Sequence, residues 1–98
     1  MTFKIATKTG IVHVDGELIK IAGHECFLHY DTVYTNIGSH YEWNVSDYKS
    51  GLLMCADLSR ESVKAKAKAI IESKTSRDFI KAGQNELKRH GFIYPLNK

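Results

Sequence analysis

LLMCADLSRESVKAKAKAII, residues 52–71, is where the chain changes its hydrophobic period, and the fold class turns on that change. Leu52 to Ala56 is an apolar run of strand length, and it reads as a central strand covered on both faces. From Ser59 the spacing becomes helical. Val63, Ala67, Ile70 and Ile71 stand at i, i+4, i+7 and i+8, one face of a 3.6-residue repeat. Ser59 suits an N-cap, because its hydroxyl can accept from an otherwise unpaired N–H of the first turn, and Glu61 favours the positive end of the helix.

Upstream of residue 52 the pattern is one of strands and turns. Tyr41, Trp43 and Val45 alternate with Glu42, Asn44 and Ser46, which predicts a strand with one apolar and one polar face. Residues 47–51 follow as a turn. Phe3 and Ile5 mark a first strand, residues 7–10 a turn, and Ile11 to Val14 a second strand. Asp15-Gly16 between two apolar runs predicts a tight hairpin, since a type I′ turn needs positive φ at both central residues. Leu18 to Ala22 would pair back across it. Gly23-His24 predicts a further reversal into a strand over 25–30. Residues 31–40, polar and containing Asn36 and Gly38, read as a loop with at most a short strand near Val33 and Tyr34.

Downstream, residues 73–76 break the first helix. A second begins near Ser76, with Asp78 in its first turn and Phe79, Ile80, Gly83 and Leu87 on its apolar face. Lys88, Arg89 and His90 suit its C-terminus, and Gly91 can end it. Phe92 to Pro95 is an extended tail apolar enough to dock. Strands followed by helices define an α+β class: an antiparallel meander of five to six strands with two C-terminal helices on one face. The 98 residues make one domain, with the sheet over 1–58, the helix pair over 59–91 and the tail over 92–98.

No apolar run approaches the ~20 residues of a membrane helix, and residues 1–10 hold no apolar leader segment. Cys26 and Cys55 belong to no C-x-x-C pair, so two reduced thiols in a cytoplasmic protein are expected. The net charge of +3 hides an asymmetry. Residues 1–49 carry four Lys/Arg against six Asp/Glu, giving −2, and residues 50–98 carry ten against five, giving +5. A helical half ordinarily carries more lysine on its wet face, which accounts for the difference; the sharper reading is two functional surfaces of opposite sign.

Catalytic signatures are missing. There is no G-x-S-x-G and no glycine-rich loop ending in Gly-Lys-Ser/Thr. His24, Cys26 and His29 lie close together, but strand alternation sets His29 on the face opposite to His24 and Cys26. A zinc site wants four converging ligands, and only His13 or Cys55 could complete one. The sequence asks for no enzyme, cofactor or metal. It offers interaction residues instead. Tyr34 and Tyr48 fall in a loop and a turn, where tyrosine can bury area against a partner and keep its polar tip wet. Asp15, Glu17, Asp31, Glu42 and Asp47 fall at turns, loop starts and a polar strand face of the acidic half. Lys64, Lys66, Lys68, Lys88 and Arg89 are the phosphate-binding candidates of the basic half.

The segment Tyr41-Glu-Trp-Asn-Val-Ser-Asp-Tyr-Lys-Ser-Gly51, followed by Ser-Arg-Glu-Ser-Val63 opening an alanine-spaced helix, resembles a pattern of small phage and mobile-element proteins. Over residues 41–71 the chain is similar to anti-CRISPR proteins, which share no single sequence motif. That resemblance implies a non-enzymatic inhibitor acting in the host cytoplasm. Its partner would be a host protein or nucleoprotein complex of the CRISPR-effector kind, and nucleic-acid access would be blocked by carboxylates set where phosphates lie. The expected binding surface is Asp15, Glu17, Asp31, Tyr34, Glu42, Asp47 and Tyr48. The alternative is a small nucleic-acid-binding module using Lys64, Lys66, Lys68, Lys88 and Arg89. A small enzyme or metal protein around His24 and Cys26 is the third reading.

Overall fold

The computed structural model describes residues 1–7, 10–35 and 38–97; the side chains of Thr7, of 31–35 and of 38–41 lie outside that description. Six strands precede two helices: β1 Thr2–Thr7, β2 Gly10–Asp15, β3 Glu17–Ile21, β4 His24–Thr35, β5 Gly38–Asp47, β6 Leu53–Asp57, α1 Arg60–Glu72 and α2 Ser76–Arg89. All strand pairings are antiparallel. This is the expected α+β class, with its helices C-terminal and packed on a sheet.

The strands form two sheets, a β1-β2 pair and a four-stranded sheet in the order β3-β4-β5-β6. The chain passes from one to the other at Gly16, so the expected Asp15-Gly16 hairpin does not form. Gly16 is required for a different reason. Its N–H donates to the carbonyl of Met1 at 2.8 Å, and a Cβ there would stand 2.8 Å from the Leu28 carbonyl oxygen and 3.3 Å from the Phe3 ring. Close packing of two backbones excludes a side chain; positive φ has no part in it. The type I′ geometry lies seven residues on, at Ala22-Gly23, with φ of +48° and +82° between the paired residues Ile21 and His24.

Two more expectations are corrected. Residues 31–35 and 38–40 are strand, where a loop was expected: β4 and β5 stay in register from Cys26↔Asp47 out to Thr35↔Gly38. Asn36 and Ile37 lie outside the described residues, as do Lys8 and Thr9 of the expected 7–10 turn. And β6 is an edge strand, not a central one; Leu53 is 60% exposed. An apolar run alone does not distinguish a covered strand from an edge whose far side is wet.

Alternation along β4 explains the layering. Cys26 and Leu28 face α1, joining Val45, Val63, Ala67 and Ile71 in one core. Phe27 faces the other way, against Phe3 and Val14 of the β1-β2 pair, and the Phe3 and Phe27 rings stack at 4.6 Å. The four-stranded sheet is thus sandwiched between a hairpin and a helix. Asn44 and Ser46, expected on a wet face, lie beneath the hairpin and are 4% and 1% exposed. Their polar atoms are satisfied: Ser46 Oγ pairs with His29 Nε2 at 2.9 Å, and Asn44 Nδ2 donates to the Glu42 carbonyl at 2.8 Å.

Both helix starts are capped, the first by the expected Ser59 and the second by Thr75, which the sequence reading did not single out. Ser59 accepts from the Ser62 N–H, and Thr75 forms a capping box with Asp78. α1 lies against β3, β5 and β6. α2 buries Gly83 and Leu87 and sets Phe79 against the His24 ring, centroids 4.5 Å apart. The tail docks through Asn97, which accepts from the Lys4 N–H and donates to the carbonyls of Lys4 and Tyr48, each at 2.8 Å. Among the described residues no helix is long and apolar enough to cross a membrane.

Candidate functional site

The seven residues expected to bind a partner do not share one surface. Asp47 ends β5 and is 6% exposed. Its Oδ1 pairs with His24 Nε2 at 2.6 Å; its Oδ2 accepts from the Ser50 N–H at 3.0 Å and the Ser50 hydroxyl at 2.6 Å. Both oxygens are committed to holding the 47–51 turn and the start of β4. Tyr48 is half-buried, packed in the second core with its ring edge-on to Phe3 at 6.0 Å. The expected exposure of Asp47 is thus corrected to burial, and Tyr48 has its ring in the second core. Asp31 and Tyr34 are placed only by register, opposite Glu42 and Ser39; their side chains lie outside the described residues.

The other carboxylates do not share one face. Glu17 stands opposite Leu28 on the α1 side of the sheet, whereas alternation sets Glu42 on the side opposite to its neighbour Trp43, which packs against the α1 core. Asp31 is placed by register directly opposite Glu42. Asp15 and Glu17 flank Gly16, where the chain passes between the sheets, and the Asp31–Glu42 pair marks the point where β4 and β5 leave the sheet. One of them is partly neutralised: Glu17 is ion-paired with Arg60, whose guanidinium lies 5.7 Å from the centre of the Trp43 ring. Asp15 is exposed and accepts from the Thr2 hydroxyl at 3.3 Å.

At this same point the sheet narrows. Pairing of β4 with β3 ends at Leu28, and pairing of β5 with β6 ends at Trp43. From Asp31↔Glu42 to Thr35↔Gly38 the two strands are hydrogen-bonded only to each other. Five residues at ~3.4 Å each give a two-stranded ribbon about 17 Å long. Tyr30 and Trp43 pack together at its base, centroids 5.0 Å apart, with Tyr30 52% exposed. Nothing in the composition of 31–40 signalled this. A ribbon that has left the sheet's other strands need not follow their apolar alternation, and β-rich residues such as Thr32, Val33, Tyr34 and Thr35 were the only trace.

The histidine and cysteine cluster is dispersed. His24 is tied to Asp47, His29 lies on the opposite face with Ser46, and Cys26 is fully buried. The Cys26 thiol is pushed up to about 12, chiefly by burial and further by Asp47 and Cys55, and it donates to the His24 carbonyl at 3.6 Å. Burial raises the Cys55 thiol as well. Among the described residues no three His, Cys, Asp or Glu side chains are arranged to hold a metal. A cavity of about 150 Å³ beside this cluster is lined by His24, Asp47, Lys49, Ser76, Phe79 and Tyr94. It is smaller than the roughly 300–1,000 Å³ of ligand pockets, and His24 Nε2 and both Asp47 oxygens are already engaged.

On the helices, ion pairs remove most of the expected basic set. Lys66 meets Asp57 at 3.3 Å, Lys68 meets Glu72 at 3.8 Å and Arg89 meets Glu86 at 3.4 Å. Lys64 is half-buried, and Lys88 is exposed. The sequence reading passed over Arg77 and Lys81, both exposed on α2, because it took the helix for its apolar face and its ends alone. Compared with protein-family models, with curated proteins and with solved structures, the chain matches none.

Proposed function

We propose that this protein is a non-enzymatic inhibitor that engages a host protein or nucleoprotein complex of the CRISPR-effector kind through the β4–β5 ribbon and the carboxylates at its base. The observation that carries this reading is the departure of β4 and β5 from the sheet beyond Tyr30 and Trp43. Ordering a residue costs roughly 1–2 kcal/mol of backbone entropy. Two strands alone are marginal in water, so the ribbon gains from a partner that covers it. The row of backbone groups along each of its outer edges suits strand addition by a partner. In this reading the carboxylates of Asp15, Glu17, Asp31 and Glu42 steer the ribbon toward a basic groove and occupy phosphate positions there. The host cytoplasm is the compartment this role requires.

The test is affinity capture from a host lysate, with and without nuclease. Three proteins are compared: the native chain, the pair D31K/E42K, and a variant in which Asn-Gly joins residue 31 directly to residue 42. The native chain is expected to retain a nuclease-resistant complex that both variants lose while their urea midpoints hold. Retention of the same complex by the shortened variant refutes the ribbon. Asp47 is left untouched, because charge reversal there breaks the turn rather than the interface.

A further inference from the structure

We propose that the outer face of α2 is a second binding surface, for the phosphate backbone of nucleic acid, formed by Arg77, Lys81 and Lys88 in one line. At ~100° per residue these three positions fall within about 40° of each other, and at ~1.5 Å per residue they span about 16 Å. Gln84, a neutral donor, falls in the same line. All four side chains are exposed, while Gly83 and Leu87 bury the opposite face.

What marks this line is that no ion pair closes on it. Asp78 interacts electrostatically with Lys81 and Lys74, but the hydrogen bonds and ion pairs of the α2 carboxylates go to other groups. Asp78 accepts from the Thr75 N–H and hydroxyl at 3.0 and 2.9 Å, and Glu86 is held by Arg89 and His90. Among the described residues no acidic group lies within ion-pair distance of Arg77, Lys81 or Lys88. Of the four cations of α1, Arg60, Lys66 and Lys68 each have an acidic partner, and the half-buried Lys64 has no ion pair among the described residues. A row of like charges repels itself and raises the local concentration of a polyanion. A row about 16 Å long faces four to five phosphates of one strand at ~3.4 Å per nucleotide. This surface is independent of the ribbon. It needs none of the residues around Tyr30 and Trp43, so either proposal can fail alone.

The experiment is fluorescence anisotropy with a labelled DNA duplex of about 20 base pairs. Three neutralised phosphates predict that affinity falls about 40-fold between about 50 and 200 mM salt. The variant R77Q/K81Q/K88Q should weaken binding at least about tenfold at low salt, with its helical circular dichroism unchanged. The control K66Q/K68Q should bind as the native chain does. Three results overturn the proposal: no binding at low salt, binding that survives the triple substitution, or equal loss in the control, which would mean diffuse net charge. Salt-sensitive binding to phosphatidylserine vesicles with none to the duplex overturns it too.

Discussion

Ala22 holds φ at +48°, the one described non-glycine residue in the left-handed region, because it is the first central residue of the tight turn between β3 and β4. A Cβ in that region crowds the following carbonyl at a cost of about 1–2 kcal/mol. Asparagine tolerates it far better, and Asn-Gly is the preferred pair for this turn. Ala22→Asn is therefore expected to stabilise the fold by about 0.5–1 kcal/mol, read as a raised urea midpoint at unchanged slope. At this scale the sequence was legible where one residue decides alone: Ser59 as a cap, Asp78 in a first turn. It was not legible where the deciding neighbour is distant. Asp15-Gly16 has the composition of a hairpin, but the carbonyl that forbids a side chain at Gly16 belongs to Leu28. Asp47 has the composition of an exposed turn residue, but its Oδ1 faces His24, 23 positions away.

Among the elements, α2 shows a conflict between local propensity and packing. Gly83 lies inside a helix, where alanine is favoured by about 1 kcal/mol. A Cβ at this position would stand 2.7 Å from Ser50 Cβ and 3.1 Å from the Tyr94 ring. Ser50 cannot yield, since its N–H and hydroxyl are both bound to Asp47. Overpacking costs about 1–3 kcal/mol, so packing wins. Gly83→Ala is expected to destabilise by about 1–2 kcal/mol in the same denaturation measurement, with α2 lifted from the turn. Both helices were legible from period and caps. β4 beyond residue 30 was not, because the rule that finds strands relies on one buried face, and the ribbon is paired with only one neighbour on each strand. The covering of Asn44 and Ser46 was hidden for the converse reason: two polar residues on alternate positions predict water, and here a second sheet takes its place.

For the molecule as a whole, one polar side chain of the tail ties the opening hairpin to the turn after β5. Asn97 bonds to both backbone groups of Lys4 in β1 and to the carbonyl of Tyr48 in the turn after β5. Replacing it leaves partly buried backbone groups without partners, at about 1–3 kcal/mol in total. Asn97→Ala should lower the unfolding midpoint accordingly, and hydrogen exchange should quicken in β1 and β2 well before it quickens in α1. The α+β class was legible at this scale; the division into two sheets was not, since no local signal marks a residue that exchanges one set of partners for another. The same asparagine has a consequence for how the protein is made. The ribosome delivers Lys4 93 residues before Asn97. At roughly 5–20 residues per second, that is an interval of about 5–20 s. Through that interval the opening hairpin rests on the growing sheet through the cluster around Phe3 and Phe27 and the Ala6 N–H bond to the Gly51 carbonyl, and the strand synthesised first is the last to be locked down.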